Sequence, residues 1–286
     1  MSTRSVGSVD ASAPRAAGSF STTLLRDEFD RLDRGLSRVA IPSPLWDLIA
    51  LDPDLLARLR LFWTLRLQIE HRSSMVFAQL AHQLVEAHAY LDEQAVMLRM
   101  AQDELRHTAT CARVLHALNA PLPPPLPTEP LARHAGVTPE ERALRNVIFT
   151  TCISEMVACS RFVATLDQTA DEAMREVLRA LLSDEVLHGR FGFHYLESRA
   201  ELLASDPTLA SSLNRYLVHA FAVAERELAP APPHRPSTPL ERAFGLEDPA
   251  EAHEIFFATL EHAVVPGLDR LGLDATTSWR ERRLLG

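Results

Sequence analysis

The sequence predicts an all-α protein whose core is a four-helix bundle: two antiparallel hairpins joined by one long crossover, with additional helices after it. Three observations predict this. Apolar residues recur three and four positions apart over long stretches, and no stretch alternates like a strand over a useful length. The connections inside each hairpin are short, whereas a Pro-rich segment from Ala120 to Val137 separates the hairpins. An Asp-Glu-x-x-His motif occurs once in each hairpin.

The elements follow in order. From Pro53 to His88 an apolar stripe runs through Leu56, Leu59, Trp63, Leu67, Phe77, Ala81 and Leu84, interrupted at Glu70 and Ser74. Asp92 is placed to cap a second helix reaching about Leu118. Thr138, Pro139, Glu140 and Glu141 supply an N-cap, a first-turn proline and acids for a third helix to about Leu166. Asp171 caps a fourth, ending near Leu203. Asp206 and Pro207 start a fifth, and a sixth runs from about Pro249 through His262, stopping before Pro266. The crossover opens with Pro121-Leu-Pro-Pro-Pro-Leu-Pro127, and extended chain of this kind, at ~3.1 Å per residue, spans most of a bundle's length. Two hairpins with one such crossover is the ferritin-like arrangement. Residues 1–19, rich in Ser, Ala and Gly, are expected to form a disordered arm. Residues 20–286 are expected to form a single domain, with a core bundle over 53–204 and accessory helices over 206–275.

Composition narrows the function. The chain has 286 residues, 47% hydrophobic and 23% charged, enough for one large core. It has no Lys; 29 Arg face 38 acids for a net charge of -9, without the basic excess a nucleic-acid binder needs. The longest charge-free stretches, Ser73–Val85 and Val114–Thr128, are too short to span a bilayer, and no secretory leader is present, so a cytoplasmic protein is expected. Cys111, Cys152 and Cys159 form no CxxC, which suits reduced thiols and removes rubredoxin-type iron or structural zinc.

The motifs carry the chemistry. In Asp103-Glu104-Leu105-Arg106-His107 and Asp184-Glu185-Val186-Leu187-His188, the i,i+3 spacing places Glu and His on one helix face, where both reach one metal ion. About one E-x-x-H is expected by chance in such a composition, but requiring the preceding Asp lowers this to ~0.05, so two copies are improbable. A dinuclear bundle site also needs one Glu from each remaining helix. Glu155 lies level with Glu185 when reflected through the turn near Thr169. Glu70 is the acid at suitable range on the first helix, about a turn out of level with Glu104. Both lie in apolar stripes, Glu70 among Trp63, Leu67 and Phe77, Glu155 among Ile148, Cys152, Ala158 and Phe162, where a solvated acid rarely sits. Four buried carboxylates repel one another, and two divalent cations cancel that charge. Four carboxylates and two imidazoles suit Fe or Mn better than Zn or Cu. Asp103 and Asp184, each four residues before a His, are expected to accept an imidazole N–H of their own or the facing helix and fix its tautomer.

Residues one or two turns from the ligands are expected to face a substrate pocket: Met97, Met100 and Cys111, then Thr151, Cys159 and Phe162, then Gly189 and Gly192. Gly192 is expected to leave a side-chain-sized vacancy, the alternative being tight helix packing against it. His71 and His194 point away from the ligand face.

The stretch Asp103-Glu-Leu-Arg-His-Thr-Ala-Thr-Cys111 is similar to the corresponding helix of bacterial multicomponent monooxygenase hydroxylases, including the cysteine one turn after the His. The second motif, with Gly192 one turn after His188, resembles their other half. The wider group is the ferritin-like diiron carboxylate superfamily, which includes the ribonucleotide reductase small subunit. The resemblance covers about residues 55–200. It implies the ligands Glu70, Glu104, His107, Glu155, Glu185 and His188, two Fe ions (Fe/Fe or Mn/Fe) and O2 as co-substrate. The chain departs from the pattern at Cys111, where ribonucleotide reductases carry a radical Tyr, and at Cys159, where many hydroxylases carry Thr. The expected activity is an O2-dependent oxidase or oxygenase, such as a monooxygenase, hydroxylating, N-oxygenating or desaturating a small organic substrate. A separate electron donor is implied, neither nucleic acid nor membrane as partner, and a homodimer is compatible with it. The alternatives are a ferroxidase or iron-storage protein and a non-enzymatic scaffold stabilised by its metals.

Overall fold

A computed structural model describes residues 52–127, 130–229 and 235–285; the expected N-terminal arm and residues 20–51 lie outside the described residues. The described residues form helices and connecting turns, without strands, as the apolar period requires. Helix α1 (Pro53–Glu86) starts where the Asp52 carboxylate accepts from the Asp54 and Leu55 amides. Its buried stripe, Leu55, Leu59, Trp63, Leu67, Glu70, Ser74, Phe77 and Leu84, has the three-and-four spacing of one helix face. Helix α2 (Leu91–Ala117) begins earlier than the Asp92 cap predicts, because the Glu93 carboxylate reaches back to the Tyr90 amide (2.9 Å). The two helices pack closely as an antiparallel hairpin.

The crossover runs along α1. Gln68 donates to the Pro124 carbonyl (2.9 Å), and Gln79, about 16 Å further along the helix, accepts from the Leu131 amide (2.9 Å). Helix α3 spans Pro139–Gln168 and starts at the Thr138 cap. It is not uniform: Pro139–Val147 is α-helical, Ile148–Glu155 is π-helical and Met156–Gln168 is α-helical again. Helix α4 (Glu172–Glu197) is capped by Asp171, which accepts from the Met174 amide (2.8 Å). It stops short of the expected Leu203. Arg199, held by Glu93 (2.8 Å) and Glu140 (2.5 Å), leaves helical geometry there, and a separate α5 (Ala200–Ser205) follows.

Helix α6 (Pro207–Leu228) starts at the Asp206 cap, and α7 (Pro239–Ala243) is a single turn. Helix α8 covers residues 249–270 and passes through Pro266, where the sequence predicted a stop. A π-helical stretch, Leu260–Val264, precedes the proline, which then sits in the first turn of the following α-segment and needs no N–H partner there. Helix α9 (Ala275–Glu281) closes the chain against α6. Helix α3 is the one described helix long and apolar enough to cross a membrane. Its apolar face, including Leu144, Val147, Ile148, Cys152, Ile153 and Val157, is buried in the protein core, as in a soluble protein.

Candidate metal centre

Six side chains from α1, α2, α3 and α4 converge midway between two apolar clusters. One cluster holds Phe77, Met97, Met100, Cys152 and Ile153; the other holds Trp63, Leu67, Cys111, Phe162 and Leu181. Glu70, Glu104, His107 and Glu185 form one ligand group, and Glu104, Glu155, Glu185 and His188 form a second. Within each, one ligand atom per residue lies within 4.8 Å of the others. Glu104 and Glu185 belong to both groups and stand between the two positions.

The imidazoles face inward through Nδ1. That atom of His107 lies 3.4 Å from Glu70 and 3.3 Å from Glu185, and that of His188 lies 3.1 Å from Glu104 and 3.4 Å from Glu185. These approaches are not hydrogen bonds: Nδ1 of both histidines and Oε2 of both Glu104 and Glu185 are buried without a hydrogen-bond partner. Four orphaned donor atoms aimed at shared points are costly. They fit two cations, one per group, and the oxygen-rich set fits hard divalent ions.

The Asp residues of the two motifs lie behind the imidazoles in a crossed arrangement. Asp184 Oδ2 faces Nε2 of His107 (3.3 Å), and Asp103 Oδ2 faces Nε2 of His188 (3.5 Å). Each Asp thus holds the proton of the facing helix's histidine on Nε2 and leaves Nδ1 as the lone pair toward the cluster. Two arginines complete this side. Arg99 donates to Asp103 (2.8 Å), and Arg106 pairs with both Asp103 and Asp184. On the other side, Arg66 donates to Glu70 Oε1 (3.2 Å) and stacks over Phe162, its guanidinium 4.3 Å from the ring centre.

The charges follow from this packing. Burial and the neighbouring Glu70 push the Glu104 carboxyl up to about 8. Burial and the charges of Glu185 and Glu104 push Glu155 well above the usual carboxylate range. For Glu185 burial is outweighed by His107 and His188, which hold it well below that range; Glu70 is lowered by His107 and Arg66 against the same burial. Both histidines, despite burial, are raised well above the ordinary imidazole value by carboxylates, Asp184 first for His107 and Asp103 first for His188. Without metal the raised groups, Glu104, Glu155, His107 and His188, favour their protonated forms, and the lowered Glu185 and Glu70 favour their ionised forms.

All six predicted ligands meet. The predicted pocket does not form as expected. Met97 and Met100 lie in one apolar cluster, Cys111 and Phe162 in the other, so they line no common space. Thr151 is turned into its own helix, donating to the Val147 carbonyl (2.7 Å). Gly192 leaves no vacancy: a Cβ there would lie 2.2 Å from Thr151 Oγ1 and 2.5 Å from Cys152 Sγ. Gly189 lies against Met156, whose Sδ would be 3.0 Å from an added Cβ. Both glycines serve the close approach of α4 to α3. Cys159 is half-buried. His194 is exposed beside Glu197 (3.5 Å), as its helical phase predicts.

Sequence reasoning missed Arg66, Arg99 and the π-helical stretch. Arg66 and Arg99 each stand four residues before an acid in a helix, a signal that was present. The π-helix has no comparable local mark. No family model, curated protein or solved structure matches the chain.

Proposed function

We propose that the cluster is a carboxylate-bridged dinuclear metal centre of the ferritin-like kind, with two iron ions as its resident metals, and that the protein is a cytoplasmic O2-dependent oxidase or oxygenase acting on a small organic substrate. The observation that carries this reading is the set of four buried donor atoms without partners, two Nδ1 and two Oε2, at the meeting point of two Asp-Glu-x-x-His motifs. A pair of ferrous ions held there would supply the electrons for O2 activation, with a separate donor to restore them. The oxygen-rich ligands suit an Fe/Fe or a Mn/Fe pair.

The chain's own residues have distinct tasks. Glu104 and Glu185 would serve both metal positions, since both belong to each ligand group. Glu70 and Glu155 complete one position each. Asp103 and Asp184 hold imidazole protons on Nε2. Glu155 is the most open of the six, its side chain 12% exposed, and it ends the π-helical stretch. Such stretches are frequent at functional sites and give their side chains a position that a regular helix does not.

The test is anaerobic loading with Fe(II), metal analysis, then O2 with optical spectroscopy. Two iron ions per chain and an O2-dependent absorption change on loading support the reading. Uptake of many iron ions per chain in a cage-sized assembly would instead mean a ferroxidase. Two ions with no O2 consumption under any reductant would mean a scaffold.

A further inference from the structure

The two sides of the cluster handle charge differently, and one side has an arginine with no other task. On the α2/α4 side, Asp103 and Asp184 balance Arg99 and Arg106. On the α1/α3 side stands Arg66, with Glu70 as its partner. If the cluster carries two divalent ions, they neutralise its four carboxylates, and Glu70 no longer balances Arg66. Glu247, a further acid whose charge reaches Arg66, is held by Arg161 through both carboxylate oxygens. A partly buried cation without a counter-ion is costly, and an arriving anion lowers that cost.

Arg66 lies at the outer edge of this side, its side chain partly exposed. Between α1 and Met156–Gln168 the side chains of Trp63, Leu67, Phe162 and Leu166 form one apolar cluster. Glu155 and Arg66 are the site residues that reach solvent here, with side chains 12% and 22% exposed. One nitrogen of Arg66 is committed to Glu70, and its other donors have no hydrogen-bond partner among the described residues. A guanidinium with free donors is a fork for a planar carboxylate. The rings of Phe62 and Phe162 flank Arg66 at 5.5 and 4.3 Å, and Ile69 and Val163 are exposed nearby on the same two helices. An apolar rim around one cation selects a molecule with an acidic head and an apolar body.

We propose that Arg66 anchors the carboxylate of the substrate, a monocarboxylic acid with an aromatic or aliphatic body. This rests on the dinuclear reading above, with Arg66 as its specificity-determining residue.

The experiment uses full-length protein loaded with Zn(II), which has no redox chemistry, and calorimetric titration with benzoate and octanoate against benzyl alcohol and octanol. Wild-type protein is expected to bind each acid at least tenfold more tightly than its alcohol. Arg66→Gln should abolish that preference, Arg66→Lys should keep part of it, and zinc content should stay at two per chain in all three. An Arg66→Gln variant that keeps the full preference overturns the inference, as does a wild type with none. If Arg66→Gln loses helical circular dichroism, Arg66→Lys decides: a reduced preference at unchanged zinc content supports the anchor, and an unchanged one overturns it. A wild type that takes up no zinc would remove the dinuclear reading itself, and the inference with it. Two zinc ions without acid preference would remove the inference alone.

Discussion

On the α2/α4 side of the cluster, two aspartates and two arginines form a closed ring of opposite charges behind the histidines. On the α1/α3 side, one arginine leans on the Glu70 carboxylate and two aromatic rings flank it. The closed side is built to hold two imidazoles still. The other side leaves a carboxylate and a cation within reach of solvent. A metal centre of the kind proposed would need both properties, and dividing them between two helix pairs would let each be met without weakening the other.

The largest effect is expected where the two sides meet. Glu185→Ala removes a carboxylate belonging to both ligand groups, so metal content should fall from two ions per chain to near zero. Glu155→Ala, on the open side, should leave one. Elemental analysis after dialysis separates them, and equal losses would break the distinction between shared and terminal ligands.

The protons of the cluster give the next effect. Glu104 and Glu155 are raised above their unfolded values, so the folded chain binds more protons than the unfolded one from about pH 4.5 upward. Stability of the metal-free protein must therefore fall as pH rises toward 8. The raised histidines act in the same direction above their ordinary value, because their contribution is lost as pH climbs through the folded-state pKa. Melting with a chelator at pH 5 and pH 8 should differ by roughly 5 °C or more, the lower pH being the more stable. The depressed Glu185 and Glu70 oppose this only below the ordinary carboxylate range. Binding two divalent ions must also expel protons from the raised groups Glu104, Glu155, His107 and His188. Unbuffered titration at pH 7 counts them, and a release near zero would mean that metal does not bind at these residues.

The closed side is tested by Asp184→Asn and Asp103→Asn. Each leaves a histidine without its carboxylate acceptor, and metal affinity should drop about 10- to 100-fold. The loss should follow the crossed pairing: Asp184→Asn should perturb the His107 position and Asp103→Asn the His188 position, read by NMR of the imidazole N–H signals.

The smallest effect concerns the α3/α4 contact. Gly192→Ala places a methyl against Thr151 and Cys152 and should destabilise the fold by about 1–3 kcal/mol while leaving metal content unchanged. Thermal melting checks it, and an unchanged melting temperature would mean that these neighbours yield without cost.

The sequence by itself determined the main helices, the caps at Thr138, Asp171 and Asp206, the crossover and the six residues that meet. An i,i+3 pair carries its geometry within one helix, so Glu104 with His107 and Glu185 with His188 were legible without any partner helix. Glu155 and Glu70 followed from reflection through short turns. Glu70 reflects about a turn out of level with Glu104, yet its side chain still reaches the same ligand group. Tertiary structure alone decided which atoms face one another across helices. Asp184 meets His107 and Asp103 meets His188 because α2 and α4 pack in one register and rotation, and no spacing along a single chain specifies either. The same holds for Gly192, which reads as empty space along α4 and is filled by α3. The π-helical stretch ending at Glu155 belongs with these. Its residues carry no local signal for that geometry, and five of them, Ile148, Thr150, Thr151, Cys152 and Ile153, are buried in the core.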